Sequence, residues 1–408
     1  MSKRTRILAA VMATMVMTTA FVGCGSKDGG DSSSSNSKTL TVWSHLSTDE
    51  VDAVRTVAEK WGKENDVTVK VVEDKGEMQA AITALQSGKG PDLYFGLAHD
   101  NLGTYQKAGV LAEVPDDYGF NEEDYVAEGA VEAVTIGGTK YAIPLAVECV
   151  ALFYNKDKVA EAPKTMEEVK DSKSFMFNAT DFYLTYGFIS AGTTADNGGY
   201  VFKNNDGTLD VNDIGLGNEG AEAGYEFLQT LVKDGLFAAD ITDDIAKAKF
   251  TEGETSYYIS GPWSVSDATA AGINLGVTPL PTLNGQTMKP FMGVQAAFVS
   301  EKSKNKDLAW DLMKYLQENT GDILIEKGNR LPALTELTES DAFKANEYAQ
   351  YFLEASKVAV PMPNVPEVQC MWTPGADNLK ALLAGTQDAK ETAKKIADQT
   401  AEGIANME

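Results

Sequence analysis

The chain has 408 residues, and its 60 acidic residues outnumber 35 basic ones, which gives a formal net charge of −25. This negative charge repels phosphate backbones, so no nucleic-acid partner is expected. Two histidines and three cysteines are too few for a zinc cluster or a disulfide framework, and we expect neither a metal nor another cofactor.

The first residues have the layout of an export signal. Three basic residues precede an apolar stretch at 7–22, which is too short for a confident membrane span and ends at small residues. We therefore predict a signal peptide over residues 1–23. The run Phe21-Val22-Gly23-Cys24 resembles a bacterial lipobox, so Cys24 is expected to be lipidated. The alternative is an ordinary cleaved signal with a chance cysteine.

Residues 24–38 are rich in Gly, Ser, Asp and Asn, a composition typical of a flexible tether. A lipid on Cys24 followed by this tether would hold the folded body at a membrane. The predicted location is the outer face of the cytoplasmic membrane, and anchoring by multiple acyl chains is stable there.

The body after the tether is predicted to be α/β. Residues 40–43 form a strand, and Ser47 and Glu50 have the spacing of a capping box at the start of a helix. Valines alternate with polar residues at 67–71, which indicates a second strand. A helix at 78–85 and an apolar run at 93–95 follow. This alternation of strand and helix favours a largely parallel sheet.

The rest of the body continues the α/β pattern without another linker. A Gly-Gly pair at 137–138 predicts a hairpin turn. Two lobes without a linker imply that the chain crosses between them more than once. Further strand-like runs lie at 147–154, 256–259 and 293–299, and further helix patterns at 218–234, 305–318 and 386–404.

Catalytic and nucleotide motifs are mostly absent. Residues 215–220 satisfy GxGxxG, but a polar, turn-like run precedes them, so we interpret them as a loop leading to a helix. Paired carboxylates are harder to exclude, because a glycosidase needs only two and no sequence spacing tests for them.

Several aromatic residues stand in polar contexts marked by Gly and Pro. Trp263 follows Gly261-Pro262, and Trp372 follows the Pro-rich run at 361–366. Tyr183 and Tyr186 lie in another polar run. Aromatic faces suit the apolar C–H faces of a pyranose, and carboxylates suit its hydroxyl rim. Two other tryptophans, at 61 and 310, lie within helix patterns and are interpreted as core.

From about residue 39 onward the chain resembles the maltose/maltodextrin-binding proteins of bacterial ABC transporters, which are extracellular sugar-binding lipoproteins. The segments that carry the resemblance include GPDLYFGLAHDNLGTY (90–105), YAIPLAVECVALFYNKD (141–157), FTEGETSYYISGPW (250–263), GVTPLPTLNGQTMKPFMGV (276–294) and PMPNVPEVQCMW (361–372).

The resemblance implies a two-lobed, periplasmic-binding-protein-like fold with a hinge and an interlobe cleft. Lobe I would comprise 39–146 and 296–345, and lobe II 147–295 and 346–408. A malto-oligosaccharide would close the lobes, and the closed form would dock on membrane permease subunits as a monomer without enzymatic activity. The alternatives are a receptor for another oligosaccharide and a secreted glycoside hydrolase. A metal or peptide binder is disfavoured.

The same resemblance assigns sugar-binding residues. They are His99, Asp100 and Asn101 in the first lobe, Glu148 near the hinge, Asp181 and Tyr183, the stacking residues Trp263 and Trp372, and Lys75 and His45 as further candidates.

This sequence also departs from the family pattern. Gly96-Leu97 stands where close relatives have a tryptophan, and Asn101 where they have an arginine, so one stacking platform and one strong donor would be missing. Thr373-Pro374-Gly375 replaces the usual aromatic-bearing helix start. Cys149 and Cys370 are expected to be free, buried thiols.

Overall fold

A computed structural model describes residues 38–205 and 208–407. The predicted signal peptide, the lipidation site at Cys24 and all but the last residue of the predicted tether lie outside these described residues. None of the helices in the described ranges is both long and apolar enough to cross a membrane.

The strands of the described residues, in chain order, are β1 (Lys38–Ser44), β2 (Val67–Glu73), β3 (Leu93–Ala98), β4 (Thr135–Ile136), β5 (Thr139–Lys140), β6 (Ile143–Cys149), β7 (Ala151–Asn155), β8 (Phe175–Met176), β9 (Lys203–Asn205), β10 (Thr208–Asp210), β11 (Tyr257–Ser260), β12 (Leu275–Thr278), β13 (Phe291–Val299), β14 (Leu331–Pro332) and β15 (Val360–Pro361).

The α-helices of the same residues are α1 (Thr48–Glu64), α2 (Met78–Gln86), α3 (Leu102–Lys107), α4 (Glu128–Glu132), α5 (Met166–Asp171), α6 (Phe182–Ala191), α7 (Glu219–Lys233), α8 (Asp243–Thr251), α9 (Val265–Ala270), α10 (Lys306–Gly328), α11 (Asp341–Ala345), α12 (Glu347–Ser356), α13 (Gln369–Leu383) and α14 (Ala389–Ala405).

The first helix forms as its sequence predicts. Glu50 Oε2 accepts a hydrogen bond from the Ser47 backbone N–H at 3.0 Å, which completes the capping box and satisfies a free donor at the helix start. The apolar face of α1, including Val51 and Trp61, is buried as expected. The alternating valines of β2 also point inward.

The larger sheet has the order β14-β6-β13-β3-β1-β2, with β15 paired to β13. β1 pairs in parallel with β2 and β3, as predicted, but β13 runs antiparallel to both β3 and β6. The expectation of a largely parallel sheet is therefore wrong beyond the first three strands. Hydrophobic periodicity shows which residues are buried but carries no information on strand direction. β13 comes from a distant part of the chain, so its direction in the sheet could not be predicted from its own pattern.

A smaller sheet has the order β12-β7-β11-β8. The predicted strand at 147–154 is in fact two strands, because the chain leaves the larger sheet after Cys149 and enters the smaller one at Ala151. It returns between β12 and β13. The short link at Val150 brings the end of β6 close to both sheets and so positions the residues described below.

Each sheet has its own apolar core. Around the smaller sheet, stacked rings fill the interior, with Phe177 lying 5.2 Å from Phe175 and 5.5 Å from Phe188 between ring centroids. Trp61 and Trp310 are buried in the core beside the larger sheet, which confirms their interpretation as core residues. The hairpin turn at 137–138 and the loop before α7 are also confirmed.

Candidate functional site

The start of α6 places two of the predicted site residues. Asp181 is the N-cap of this helix, and its Oδ1 accepts hydrogen bonds from the backbone N–H groups of Tyr183 at 2.9 Å and Leu184 at 3.3 Å. An aspartate is favoured at this position because its carboxylate satisfies otherwise free donors. The capping role explains the residue type at 181, and it places Tyr183 in the first turn of the helix.

Tyr183 belongs to a chain of aromatic contacts that joins the predicted stacking residues. Its ring centroid lies 6.2 Å from Trp263 and 6.0 Å from Phe291, and Phe291 lies 6.1 Å from Trp372. Trp263 is 40% exposed, whereas Trp372 is half-buried. Phe291 was not predicted; it lies within the KPFMGV segment but had no polar context to single it out. We call these four residues the aromatic cluster.

Glu148, at the end of β6, is held by two residues that the sequence did not indicate. Its Oε2 accepts a hydrogen bond from Arg330 Nη1, and its Oε1 accepts one from Gln295 Nε2 at 2.9 Å. Arg330 also donates from Nε to Glu50 Oε1 at 2.5 Å and from Nη2 to Glu50 Oε2 at 3.1 Å. Arg330 is only 5% exposed and Glu50 is fully buried, whereas Glu148 is half-buried, so this ion triad is largely buried.

The electrostatics of the triad are mutually stabilising. Burial by itself would lower the pKa of Arg330, but the charges of Glu148 and Glu50 outweigh burial and raise it. Burial opposes ionisation of Glu50 as well, and the Arg330 guanidinium nevertheless lowers the pKa of that carboxyl. Arg330 and Glu50 therefore both keep their charges, because buried charges are retained in proteins when they are paired.

Asp100 lies close enough to Glu148 for their charges to interact. Asp100 is 6% exposed, and burial, with a smaller contribution from Glu148, raises its pKa to about 6. Gln369 donates to the Asp100 backbone oxygen at 3.0 Å, and Asn101 donates to Asp100 Oδ1 at 3.2 Å. Burial, and then the charge of Glu148, raise the pKa of Tyr183 well above its usual value. The structure therefore brings Asp100, Glu148 and Tyr183 together.

His99 has a role different from the predicted one. The residue has no exposed surface, its Nδ1 accepts a hydrogen bond from the Val294 backbone N–H at 3.0 Å, and its Nε2 donates to the Met362 carbonyl at 3.0 Å. Burial lowers its pKa to about 4, so the ring is neutral. Because both ring nitrogens are occupied by backbone groups, His99 braces β13 against the segment after β15 and has no free group for a ligand.

His45 and Lys75 lie in exposed loops after β1 and β2. His45 Nδ1 is 2.9 Å from the Asp74 carbonyl, and Lys75 Nζ is 2.9 Å from Glu73 Oε1. Within the described ranges, neither side chain hydrogen-bonds with Asp100 or Glu148. Leu97, which stands where the family pattern has a tryptophan, is buried in the core and offers no platform.

A cavity of about 960 Å³ borders the aromatic cluster at Phe291. It is lined by Tyr186, Lys289, Phe291 and Pro361 among others, and by none of the residues that the family resemblance assigns to the sugar site. Phe291 borders it, since its ring stacks on Tyr186 at a centroid distance of 3.6 Å. We place the candidate site at Glu148 and Trp263 and not in this cavity, because the paired charges and the exposed tryptophan face belong to those residues.

The two cysteines in the described residues are free, as predicted. Cys149 is buried, and burial raises its pKa to about 12. Cys370 is only half-buried, so the prediction of burial is wrong for this residue, and its Sγ lies 3.2 Å from Met407 Sδ. Neither thiol contributes to the candidate site.

Comparison with known proteins identifies the family. The family model described as "Bacterial extracellular solute-binding protein" matches residues 56–350. A galactooligosaccharide-binding protein of Bacillus subtilis is 33% identical over 403 residues, covering 94% of each chain. A maltooligosaccharide ABC transporter solute-binding lipoprotein of Streptococcus pneumoniae is 30% identical over 410 residues, again covering 94% of each.

A solved structure agrees with these relatives. The maltose-maltodextrin binding protein of Alicyclobacillus acidocaldarius matches with a TM-score of 0.83 and 34% identity, covering 89% of this chain and 100% of that one. This likeness confirms the predicted two-lobed, periplasmic-binding-protein-like fold. The chain belongs to the bacterial extracellular solute-binding proteins.

Proposed function

We propose that this protein captures maltodextrins, which are α-1,4-linked gluco-oligosaccharides, and delivers them to the permease of a membrane ABC transporter. The observation that carries the proposal is the exposed face of Trp263, which packs against Tyr183. The carboxylates of Glu148 and Asp100 lie close enough to Tyr183 for their charges to act on its hydroxyl. A pyranose presents its apolar C–H faces to an aromatic ring and its hydroxyls to carboxylates. The names of the Streptococcus relative and of the Alicyclobacillus structure support the same class of sugar.

Binding is proposed to close the cleft between two lobes formed by 39–146 with 296–345 and by 147–295 with 346–408. The sheets support a division near these points, since β6 and β13 lie in the larger sheet and β7 and β12 in the smaller. A sugar that contacts both lobes favours the closed state by its greater affinity for that state. No bond of the sugar needs to break for this function.

We further propose that Cys24 carries the lipid anchor and that the protein acts as a monomer on the outer face of the cytoplasmic membrane. The name of the Streptococcus relative, a lipoprotein, supports the anchor. Replacing Cys24 by alanine in the producing cell tests it. The variant should appear in the medium, whereas the native chain should stay with the membrane fraction. Equal distribution of the two would contradict the anchor.

A second candidate ligand is a galactooligosaccharide. The Bacillus relative that matches at 33% identity is named for this sugar. The chain also has Leu97 and Asn101 in place of the tryptophan and arginine of the maltodextrin pattern, so its contacts with a bound sugar would differ at these two positions.

Calorimetric titration separates these candidates. A chain starting at Gly25, without the leader and the lipidated cysteine, is titrated in parallel with maltotriose and with β-1,4-galactobiose. The proposal predicts a saturable isotherm with one maltotriose per chain and a lower affinity for the galactobiose. The reverse order would favour the second candidate. Heat that continues after saturation would indicate turnover, and a glycoside hydrolase would replace both.

A further inference from the structure

Gln295 stands out on the central strand of the larger sheet. β13 is buried along its whole length, and Gln295 is the only residue on it with a polar side chain. A buried amide costs free energy unless its polar atoms are hydrogen-bonded. An apolar residue would fill this position at lower cost, so the presence of glutamine calls for a reason.

Only half of the Gln295 amide is used within the protein. Its Nε2 donates to Glu148 Oε1 at 2.9 Å, and this contact fixes the orientation of the amide, because the reverse orientation would place two oxygens against each other. Among the described residues its Oε1 has no hydrogen-bond partner, although the residue is only 8% exposed. Most buried polar atoms in proteins do have a partner.

A second unpartnered atom lies on the same side of Glu148. Gly293 and Gln295 face the same side of β13, since side chains alternate along a strand. A Cβ built on Gly293 would lie 3.3 Å from Glu148 Oε1 and 3.3 Å from the Tyr183 hydroxyl. That hydroxyl also lacks a partner within the part of the chain described. An acceptor and a hydroxyl are thus both left unused around one carboxylate.

We infer that Gln295 is a specificity-determining residue of the sugar site, whose side-chain carbonyl accepts a hydrogen bond from a hydroxyl of the ring that Glu148 binds. The inference rests on the proposed function and deepens it. Glu148 accepts one hydroxyl, Gln295 accepts a second, and the Tyr183 hydroxyl completes the contact with the same ring. A role limited to holding Glu148 would use only the Nε2 group, and it would leave the side-chain carbonyl without a hydrogen-bond partner.

The test combines a protein variant with altered sugars. Gln295→Met replaces the amide by an apolar side chain of similar size, and maltotrioses that each lack one hydroxyl remove the partner from the other side. We expect the variant to bind maltotriose roughly three- to tenfold more weakly than the wild type, which is the effect of one neutral hydrogen bond. With one particular deoxy sugar, the variant and the wild type should bind equally well. An equal loss with every deoxy sugar would overturn the inference.

The matched control is Gln229→Met. Gln229 is also 8% exposed, but its amide donates to the Leu382 and Gln387 carbonyls and its Oε1 accepts from Lys233, so all of it is used within the fold. This variant should unfold more easily and should leave the pattern across the deoxy sugars unchanged.

Two further measurements keep the inference testable. If Gln295→Met does not fold, Gln295→Asn replaces it, because this change shortens the side chain by one methylene and moves the carbonyl away from the ring. Gln295→Asn should also bind maltotriose more weakly than the wild type and should bind the same deoxy sugar equally well. If the wild type binds neither maltotriose nor β-1,4-galactobiose, the proposed function fails, and the inference then fails with it. A wild type that binds maltotriose, beside a Gln295→Met variant that loses affinity equally for every deoxy sugar, would overturn the inference alone.

Discussion

Glu148 is ion-paired to Arg330, a residue 182 positions further along the chain. The pair connects the end of β6 to the loop after α10, and Arg330 extends it to Glu50 at the start of α1. The carboxylate proposed to bind sugar is therefore fixed by the fold before any ligand arrives. Such preorganisation reduces the cost of ordering side chains when the ligand binds.

The first prediction concerns the stability of this triad. Arg330→Met leaves the buried carboxylate of Glu50 and the half-buried carboxylate of Glu148 without a counter-charge, and it should lower the free energy of unfolding by about 3–5 kcal/mol, measured by urea denaturation. Arg55→Met is the control, because Arg55 pairs with Asp52 at the surface and such pairs contribute at most about 1 kcal/mol. Adding Glu50→Gln to Arg330→Met should recover part of the loss. Equal losses for the two arginine variants would contradict the buried triad.

The second prediction separates binding from stability at the two kinds of tryptophan. Trp263→Ala removes an exposed stacking face, so it should weaken maltotriose binding by about 1–3 kcal/mol while changing the unfolding free energy by about 1 kcal/mol or less.

The control for Trp263 is Trp310→Ala. Trp310 is buried, with its ring 5.5 Å from Tyr118, so this variant should lose about 3–5 kcal/mol of stability and keep its affinity for sugar. Calorimetry and denaturation of the same samples measure both quantities. Unchanged sugar affinity in Trp263→Ala would remove that residue from the site.

The third prediction follows from the pKa of Asp100. This pKa is raised to about 6 in the folded protein, above the value of about 3.9 in an unfolded chain. The folded state therefore holds the proton more tightly, and the resulting stability is present in full below about pH 4 and lost as the pH rises through about 6. Relative to Asp100→Asn, the wild type should lose about 3 kcal/mol of unfolding free energy between pH 4 and pH 7. A constant difference across that range would show that Asp100 has an ordinary pKa.

The fourth prediction contrasts the two histidines. His99→Ala leaves the Val294 N–H and the Met362 carbonyl without partners, so it should lower the unfolding free energy by roughly 2–5 kcal/mol. His45 is exposed, and His45→Ala should change stability by no more than about 0.5 kcal/mol. Thermal unfolding of both variants measures the contrast. Near-wild-type stability of His99→Ala would mean that the ring does not brace the fold.

Local elements were predictable from the sequence because their causes are local. The capping box and the valine alternation depend on neighbouring residues, and α1 and β2 form where these patterns indicate. The break at Val150 was not predictable, since one continuous apolar run supplies strands to two different sheets. The direction of β13 also depends on where the chain enters the sheet.

The candidate site was predictable only in part. The family resemblance indicated Glu148, Tyr183 and the two tryptophans, and the structure brings these together. It could not indicate Arg330 or Gln295, because an ion pair or hydrogen bond between distant segments leaves no pattern in the sequence. His99 was assigned from its position beside Asp100, whereas its environment, with both nitrogens bonded to the backbone, became visible only in three dimensions.

The most direct measurement is a crystal structure of the chain starting at Gly25 with maltotriose bound. The proposed site predicts a glucose ring stacked on Trp263, with its hydroxyls hydrogen-bonded to Glu148 and Asp100. Sugar found instead in the cavity lined by Tyr186, Lys289 and Pro361 would contradict this site. Sugar absent from both, under conditions where calorimetry shows no binding, would contradict maltodextrin capture itself.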